Sequence, residues 1–210
     1  MKIAICTPVY SDPKTDYVRS LVTTLAHTAE QRPDLVVRPR FSQGHLIHNR
    51  NKLAKDALEW GADFTLWIDA DMSFPETALL ALLGRGLPVV GCNYATRMTP
   101  PRVTAFRGPG PGQYKPVFTT PAIARATPLE EVTSMGLGFC LIASHILRDL
   151  GEPAFLAKPG HVAGLGEDEY LWERVRQSGE RVFVDHVVSL RVAHIGDFPF
   201  SNEMAARVAQ

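Results

Sequence analysis

Apolar runs of strand length alternate with stretches of helical period through the first half of the chain. Residues 2–7, 34–39, 63–69 and 88–92 read as strands, and residues 15–30, 45–59 and 75–84 as the helices between them. Pro75 stands at a favoured first-turn position and Gly84 and Gly86 close that third helix. This alternation is the signature of parallel strands joined by crossover helices, so residues 1–98 read as a Rossmann-like, nucleotide-binding half. No GxGxxG follows the first strand, which argues against a dinucleotide cofactor held in the usual way.

The pattern then changes. Residues 99–121 are rich in Pro, Gly, Thr and Arg with little periodicity, and read as a long loop or loosely paired hairpin region. A stretch of this length inside a compact domain is usually a lid or binding loop, or else disordered. Further on, strands are expected at 130–135 and 138–143, helices from Ser144 and over 168–178, and closing strands at 181–185 and 188–193. The expected whole is one α/β domain over 1–210, its central sheet mostly parallel with a smaller antiparallel part, in which 99–210 forms the acceptor and catalytic half.

Composition narrows the function classes only a little. With 210 residues and 45% hydrophobic content the chain can bury one sizeable core. The 22 basic and 22 acidic residues cancel, so net charge advertises no polyanionic partner. Cys6, Cys92 and Cys140 lie in separate apolar runs and fit neither a disulfide framework nor a zinc site, so buried thiols are expected. The first apolar run is too short for a signal peptide and none approaches membrane-spanning length, so a cytoplasmic protein is expected.

Candidate chemistry clusters where strands end. Asp69-Ala70-Asp71 closes the apolar run Phe64–Ile68, and ligands of open α/β sheets bind beyond the carboxyl ends of strands. A spacing of two directs both acids to one side of an extended chain. Hard divalent cations take such oxygen ligands, and a diphosphate needs a cation to neutralise it. A turn or capping pair before the next helix is the plain alternative.

Gly166-Glu167-Asp168-Glu169 precedes an amphipathic helix, with Asp168 on the stripe of Leu171, Trp172 and Val175. Its carboxylate is suited to accept a proton from an attacking hydroxyl, or simply to complement the helix dipole. His194, past the last strand, can complete a metal site of carboxylate and phosphate oxygens or serve as an ordinary structural histidine. Arg50 shares a helical stripe with Leu46, Leu53 and Ala57, so it either turns inward to meet an anion or snorkels to solvent. Thr7, Pro8 and Tyr10 offer a hydroxyl, a rigid turn and a ring where a nucleoside can rest, and Gly136 and Gly138 permit close backbone approach or a tight turn.

In order and spacing, TPVY, HNRN, LWIDADM, MGLGFCLI, GEDEYLWERVRQSG and VAHIG resemble the family 2 type of GT-A fold glycosyltransferase over nearly the whole chain. The resemblance implies a single-sugar transfer from a nucleotide diphosphate sugar, UDP-sugar favoured, to a hydroxyl acceptor, with Mn²⁺ or Mg²⁺. It places Thr7, Pro8 and Tyr10 beside the nucleoside, Arg50 near base or diphosphate, Asp69 toward ribose and metal, and Asp71 and His194 on the metal. Asp168 would be the base that makes the reaction inverting, Glu167 its neighbour, and Gly136–Gly138 the border of the acceptor pocket.

Two departures accompany it. Many relatives carry a uracil-reading acid after the second strand, where this chain has Arg38, Arg40, Ser42 and Gln43. The QxxRW motif of processive synthases is missing, since Gln177 and Arg181 are followed by Val182. A sugar-phosphate nucleotidyltransferase is the rival enzyme, though it would carry a glycine- and basic-rich loop where this chain reads SDPKTDYVR. A catalytically silent nucleotide-sugar-binding protein is the rival of another class. The acceptor stays open among a saccharide, a lipid-linked intermediate, a protein and a modified nucleic acid base. Arg97, Arg102 and Arg107, with Tyr94 and Phe106, suit an anionic or stacked acceptor, or are plain surface charges.

Overall fold

The computed structural model describes residues 1–109, 113–157, 166–196 and 199–208. Its first elements follow the expected alternation: β1 (Lys2–Val9), α1 (Thr15–Gln31), β2 (Val36–Gln43), α2 (Leu46–Glu59), β3 (Phe64–Ile68), the short β4 (Met72–Ser73), α3 (Ala78–Leu83) and β5 (Val89–Gly91). After them come β6 (Phe106–Arg107), β7 (Lys115–Pro116), α4 (Pro121–Ala126), β8 (Leu129–Val132), β9 (Phe139–Ala143) and α5 (Ser144–Leu150). The chain ends with α6 (Glu167–Gln177), β10 (Val182–Asp185), α7 (His186–Ser189), β11 (Ala193–Ile195), β12 (Pro199–Phe200) and α8 (Asn202–Val208).

A seven-stranded sheet runs in the order β2-β1-β3-β9-β5-β10-β8, with β9 and β8 antiparallel to the others. Alternating side chains feed two apolar layers. Ala4, Cys6, Trp67, Cys140 and Ile142 pack with Leu53, Ala57, Ile146, Leu171 and Trp172 of α2, α5 and α6. Ile3, Ile5, Leu66, Ile68 and Leu141 face Tyr17, Leu21, Leu79 and Leu82 of α1 and α3. Every residue of β9 is buried, as a central strand covered on both faces requires. The three cysteines are free and buried, and burial pushes all three thiols well above their ordinary range.

The chain differs from its sequence reading in three places. The first is residues 188–193, expected as a strand. Asp185, fully buried at the end of β10, accepts from the backbone N–H groups of Val187 and Val188 at 2.9 and 3.0 Å. That cap starts α7, against the β preference of the two valines. The closing strand is instead β11, which joins β4 and β12 in a separate small sheet.

The second place is α4, where no helix was expected; the 99–121 region before it, expected as a long loop or loosely paired hairpin, does hold the short pair β6–β7, and its residues 110–112 lie outside the described residues. One buried side chain makes four of the ties that hold this region. Asn93, fully buried after β5, donates through Nδ2 to Val117 O at 2.7 Å and Thr119 Oγ1 at 3.1 Å. Its Oδ1 accepts from the N–H groups of Thr104 and Ala105. A main-chain bridge Ala95–Val103 and the pair β6–β7 complete the fastening. The third place is the third helix, which begins at Ala78 rather than 75, because Pro75 sits in the preceding turn and its carbonyl accepts from Ala78 N at 3.0 Å.

All four hydrogen-bonding positions used by Asn93 are inaccessible to water, so its truncation leaves several buried groups unsatisfied. Asn93→Ala is expected to lower unfolding free energy by roughly 3 kcal/mol. Urea denaturation of the variant checks this, and limited proteolysis should show cleavage moving into residues 99–121.

Candidate functional site

The cleft forms where β1 and β3 end. A hollow of about 350 Å³ is lined by Pro8, Tyr10, Asp12 and Lys14 beyond β1, Asn49 of α2, Asp69 and Asp71 beyond β3, Arg97 and His194. Its floor is held by Asn49, which donates to Gly44 O at 2.8 Å and receives the Ser42 hydroxyl on Oδ1 at 3.1 Å. A larger hollow of about 760 Å³ lies at the opposite ends of the strands, between Met1, Phe64 and Leu87, away from these groups.

The two aspartates do not lie along an extended chain. Residues 69–72 make a turn closed by Met72 N donating to Asp69 O at 3.1 Å, so the acids diverge towards different cations. Asp69 faces Arg50, with Oδ1 3.6 Å from Nη2. Arg50 has turned inward and is buried, and its Nη1 donates to Glu167 Oε1 at 2.6 Å. One guanidinium thus joins α2, the end of β3 and the first turn of α6. Burial alone would lower the Arg50 pKa, but the charges of Asp69, Glu167 and Asp168 outweigh it and the guanidinium stays charged.

Asp168 lies half-buried beside this pair, and its Oδ1 accepts from Glu169 N at 2.8 Å. Burial, followed by the neighbouring charge of Glu167, pushes its carboxyl up to about 6, with Arg50 opposing. Burial also raises Asp69, again against the pull of Arg50.

Asp71 meets the other half of the site. Its Oδ1 is 3.2 Å from His194 Nε2 and its Oδ2 3.0 Å from Arg97 Nη1. Burial works to raise the Asp71 carboxyl, but the His194 hydrogen bond and charge, then Arg97, hold it below the usual range. His194 Nδ1 lies 3.2 Å from Ala95 O, and the ring stands edge-on to Tyr94 at 5.5 Å. Donation from Nδ1–H to that carbonyl orients the ring with Nε2 towards Asp71, where it donates here and would present its lone pair to a metal once deprotonated. Among the described residues no group of three His, Cys, Asp or Glu side chains is arranged to hold a metal ion.

The glycines serve Tyr94. Its hydroxyl accepts from Gly138 N at 2.8 Å, and a Cβ on Gly138 would stand 2.6 Å from that hydroxyl and 3.0 Å from Asp69 Oδ2. The structure therefore brings Asp69, Glu167, Asp168 and Arg50 together and pairs Asp71 with His194 in the same cleft, within electrostatic reach of Asp69. Pro8 and Tyr10 line the cleft, the Tyr10 ring being 90% exposed. Thr7 is buried, its hydroxyl 2.6 Å from that of Tyr17, and does not line the hollow. Arg107 pairs with Glu130 at 2.9 Å and Arg102 borders a separate apolar hollow, so the three loop arginines do not form one patch. Sequence reasoning missed Asn49 and Tyr94 as groups that shape the site: Asn49 acts through Gly44 O and the Ser42 hydroxyl in the loop before its helix, and Tyr94 through Gly138 N, far away in sequence.

No protein-family model matches this chain and no curated protein matches it in sequence. Solved structures do. The chain is similar over 97% of its length to A197 from STIV, at 19% identity and a TM-score of 0.62, covering 92% of that chain. It is similar over 99% of its length to GalNAc-T7, solved with UDP, GalNAc and Mn²⁺, at 13% identity and a TM-score of 0.59. It spans 47% of GalNAc-T7, less than half. The fold is that of the GT-A glycosyltransferases, a mixed α/β sheet with a small antiparallel annex. Among the described residues no helix is long and apolar enough to cross a membrane.

Two stability predictions come from the buried charges. Asp168 is held near 6 in the folded chain against an ordinary 3.8. The folded state therefore binds more protons between these values, and the group's contribution to stability, full below the lower one, is lost as pH rises through the upper. Asp168→Asn should raise the Tm at about pH 7.5, with the gain fading towards pH 4, in paired thermal melts. Arg50→Leu strands its carboxylates and should cost about 3–5 kcal/mol near neutral pH. Denaturant titrations should show that loss shrinking as acid protonates the carboxyls.

Proposed function

We propose that this chain is a metal-dependent, inverting glycosyltransferase of the family 2 type, moving one sugar from a nucleotide diphosphate sugar to a hydroxyl acceptor. The observation that carries this is the pairing of Asp71 with His194 Nε2, 3.2 Å apart on the wall of a cleft at the strand ends of a GT-A sheet. Two protein ligands suit Mn²⁺ or Mg²⁺, which fill their remaining positions with diphosphate oxygens and water. The tautomer set by Ala95 O fits, and the divergence of Asp69 towards Arg50 makes that acid a support rather than a direct ligand. Bound there, the ion would neutralise charge on the departing diphosphate.

The rest belongs to the chain itself. Pro8, Tyr10 and the Asn49-held floor offer the nucleoside a surface, and Arg50, charged and fixed, offsets part of the carboxylate charge behind the diphosphate. Asp168 takes the proton of the acceptor hydroxyl as its oxygen bonds to the anomeric carbon. The bond from that carbon to the diphosphate breaks on the opposite face, and its electron pair leaves with the nucleotide. A base held at about 6 is ionised at neutral pH yet retains enough basicity for the transfer. The UDP, GalNAc and Mn²⁺ of the GalNAc-T7 structure support a UDP-sugar and manganese here. Asp12, on the loop after β1, also lines the cleft, while Ser42 and Gln43 end β2 where relatives read uracil with an acid.

Asp71→Ala and Asp168→Asn should each reduce transfer by at least about 10²-fold. Calorimetry with UDP and Mn²⁺ should separate them: Asp71→Ala loses metal-dependent binding, whereas Asp168→Asn keeps it. Full transfer activity in both variants would refute the assignment.

A further inference from the structure

Arg97 is the cleft's second arginine, and its situation is the reverse of Arg50's. It follows β5 on a loop whose stem is fastened just before it, by the Ala95–Val103 bridge and by Thr96 N donating to Arg102 O at 2.8 Å. From residue 97 to residue 100 the chain is exposed. The Arg97 side chain is 46% exposed, yet its Nη1 reaches Asp71 Oδ2 at 3.0 Å. Its Cδ passes beside Gly196, where an added Cβ would stand in ordinary contact at 3.4 Å.

The carboxylate it touches is the one read above as the metal's. Asp71 Oδ1 faces His194, so the guanidinium holds the remaining oxygen, Oδ2. A cation on Asp71 and Arg97 on Asp71 therefore compete. A half-exposed ion pair is weak and easily exchanged. A guanidinium released beside a diphosphate finds a better partner there, since phosphate oxygens accept its paired donors and carry more charge.

We propose that Arg97 is a movable binding group for the donor's diphosphate: without nucleotide it caps Asp71, and when nucleotide and divalent cation bind it yields that oxygen and grips the diphosphate. This inference rests on the glycosyltransferase reading of the cleft. It makes cation and nucleotide cooperative, because the diphosphate removes the cation's competitor from Asp71. Arg50 cannot take this part, being buried and committed to Glu167.

Calorimetric titrations of the parent, Arg97→Ala, Arg97→Lys and Arg102→Ala test it, with MnCl₂ alone and with UDP or inorganic pyrophosphate at saturating Mn²⁺. Arg97→Ala should bind Mn²⁺ alone roughly 3- to 5-fold more tightly. It should bind UDP and pyrophosphate roughly 10-fold more weakly in the presence of Mn²⁺. Arg97→Lys should fall between, and Arg102→Ala, which removes the same charge from the same loop, should match the parent. Unchanged Mn²⁺ and UDP affinities in Arg97→Ala, or weaker Mn²⁺ binding, would overturn the inference while a parent that binds both keeps the reading of the cleft intact. A parent with no Mn²⁺-dependent binding of either probe would remove that reading and the inference together.

Discussion

The buried guanidinium of Arg50 is the interaction on which this structure turns. It ties together three segments that the chain reaches at residues 50, 69 and 167, linking the first turn of α6 to the end of β3. A charge this deep is expensive to desolvate, and it is retained only where carboxylates meet it. Three do so electrostatically, Asp69, Glu167 and Asp168, against one positive group. The balance is negative. Glu167 takes the direct contact, so Asp168 is left with burial and a neighbouring anion, which is why its carboxyl rises to about 6. The same surplus of negative charge makes the cleft favourable for a cation.

The two halves of the site therefore differ in kind. Arg50, Glu167 and Asp69 form a part built around a buried ion pair between α2 and α6. Asp71, His194 and Arg97 form a part whose members sit on turns and the small annex sheet and are partly open to solvent. A transferase needs both properties: a base and a fixed field that do not relax during the reaction, and a leaving-group side that can admit and release a diphosphate.

Much of this was legible in the residues. Helical and strand periods located β1, α1, α2, β3, β9 and α6 to within a few positions, because their buried faces repeat cleanly. The insertion of β9 between β3 and β5 was not legible: an all-apolar strand fits any central place in a sheet, and pairing partners leave no local mark. Nor were the ties that order the 99–121 region, such as those of Asn93, which bonds atoms up to 26 positions away. The valines of α7 misled because a cap from Asp185, outside the apolar run itself, decided the conformation.

For the site, the residues were found but not their pairings. The DxD spacing suggested two acids on one side of an extended chain; the segment turns at residues 69–72 instead, and the acids share one cleft while pairing with different cations. Those different partners give each a distinct role. Asp69 faces a fixed guanidinium, although burial and the charge of Asp71 still raise its carboxyl. Asp71, turned to an imidazole and an exchangeable guanidinium, can change partners. With one acid on a fixed cation and the other on exchangeable partners, one segment of chain both anchors the fold and presents an exchangeable ligand, so the reverse turn itself is the feature from which the proposed chemistry follows.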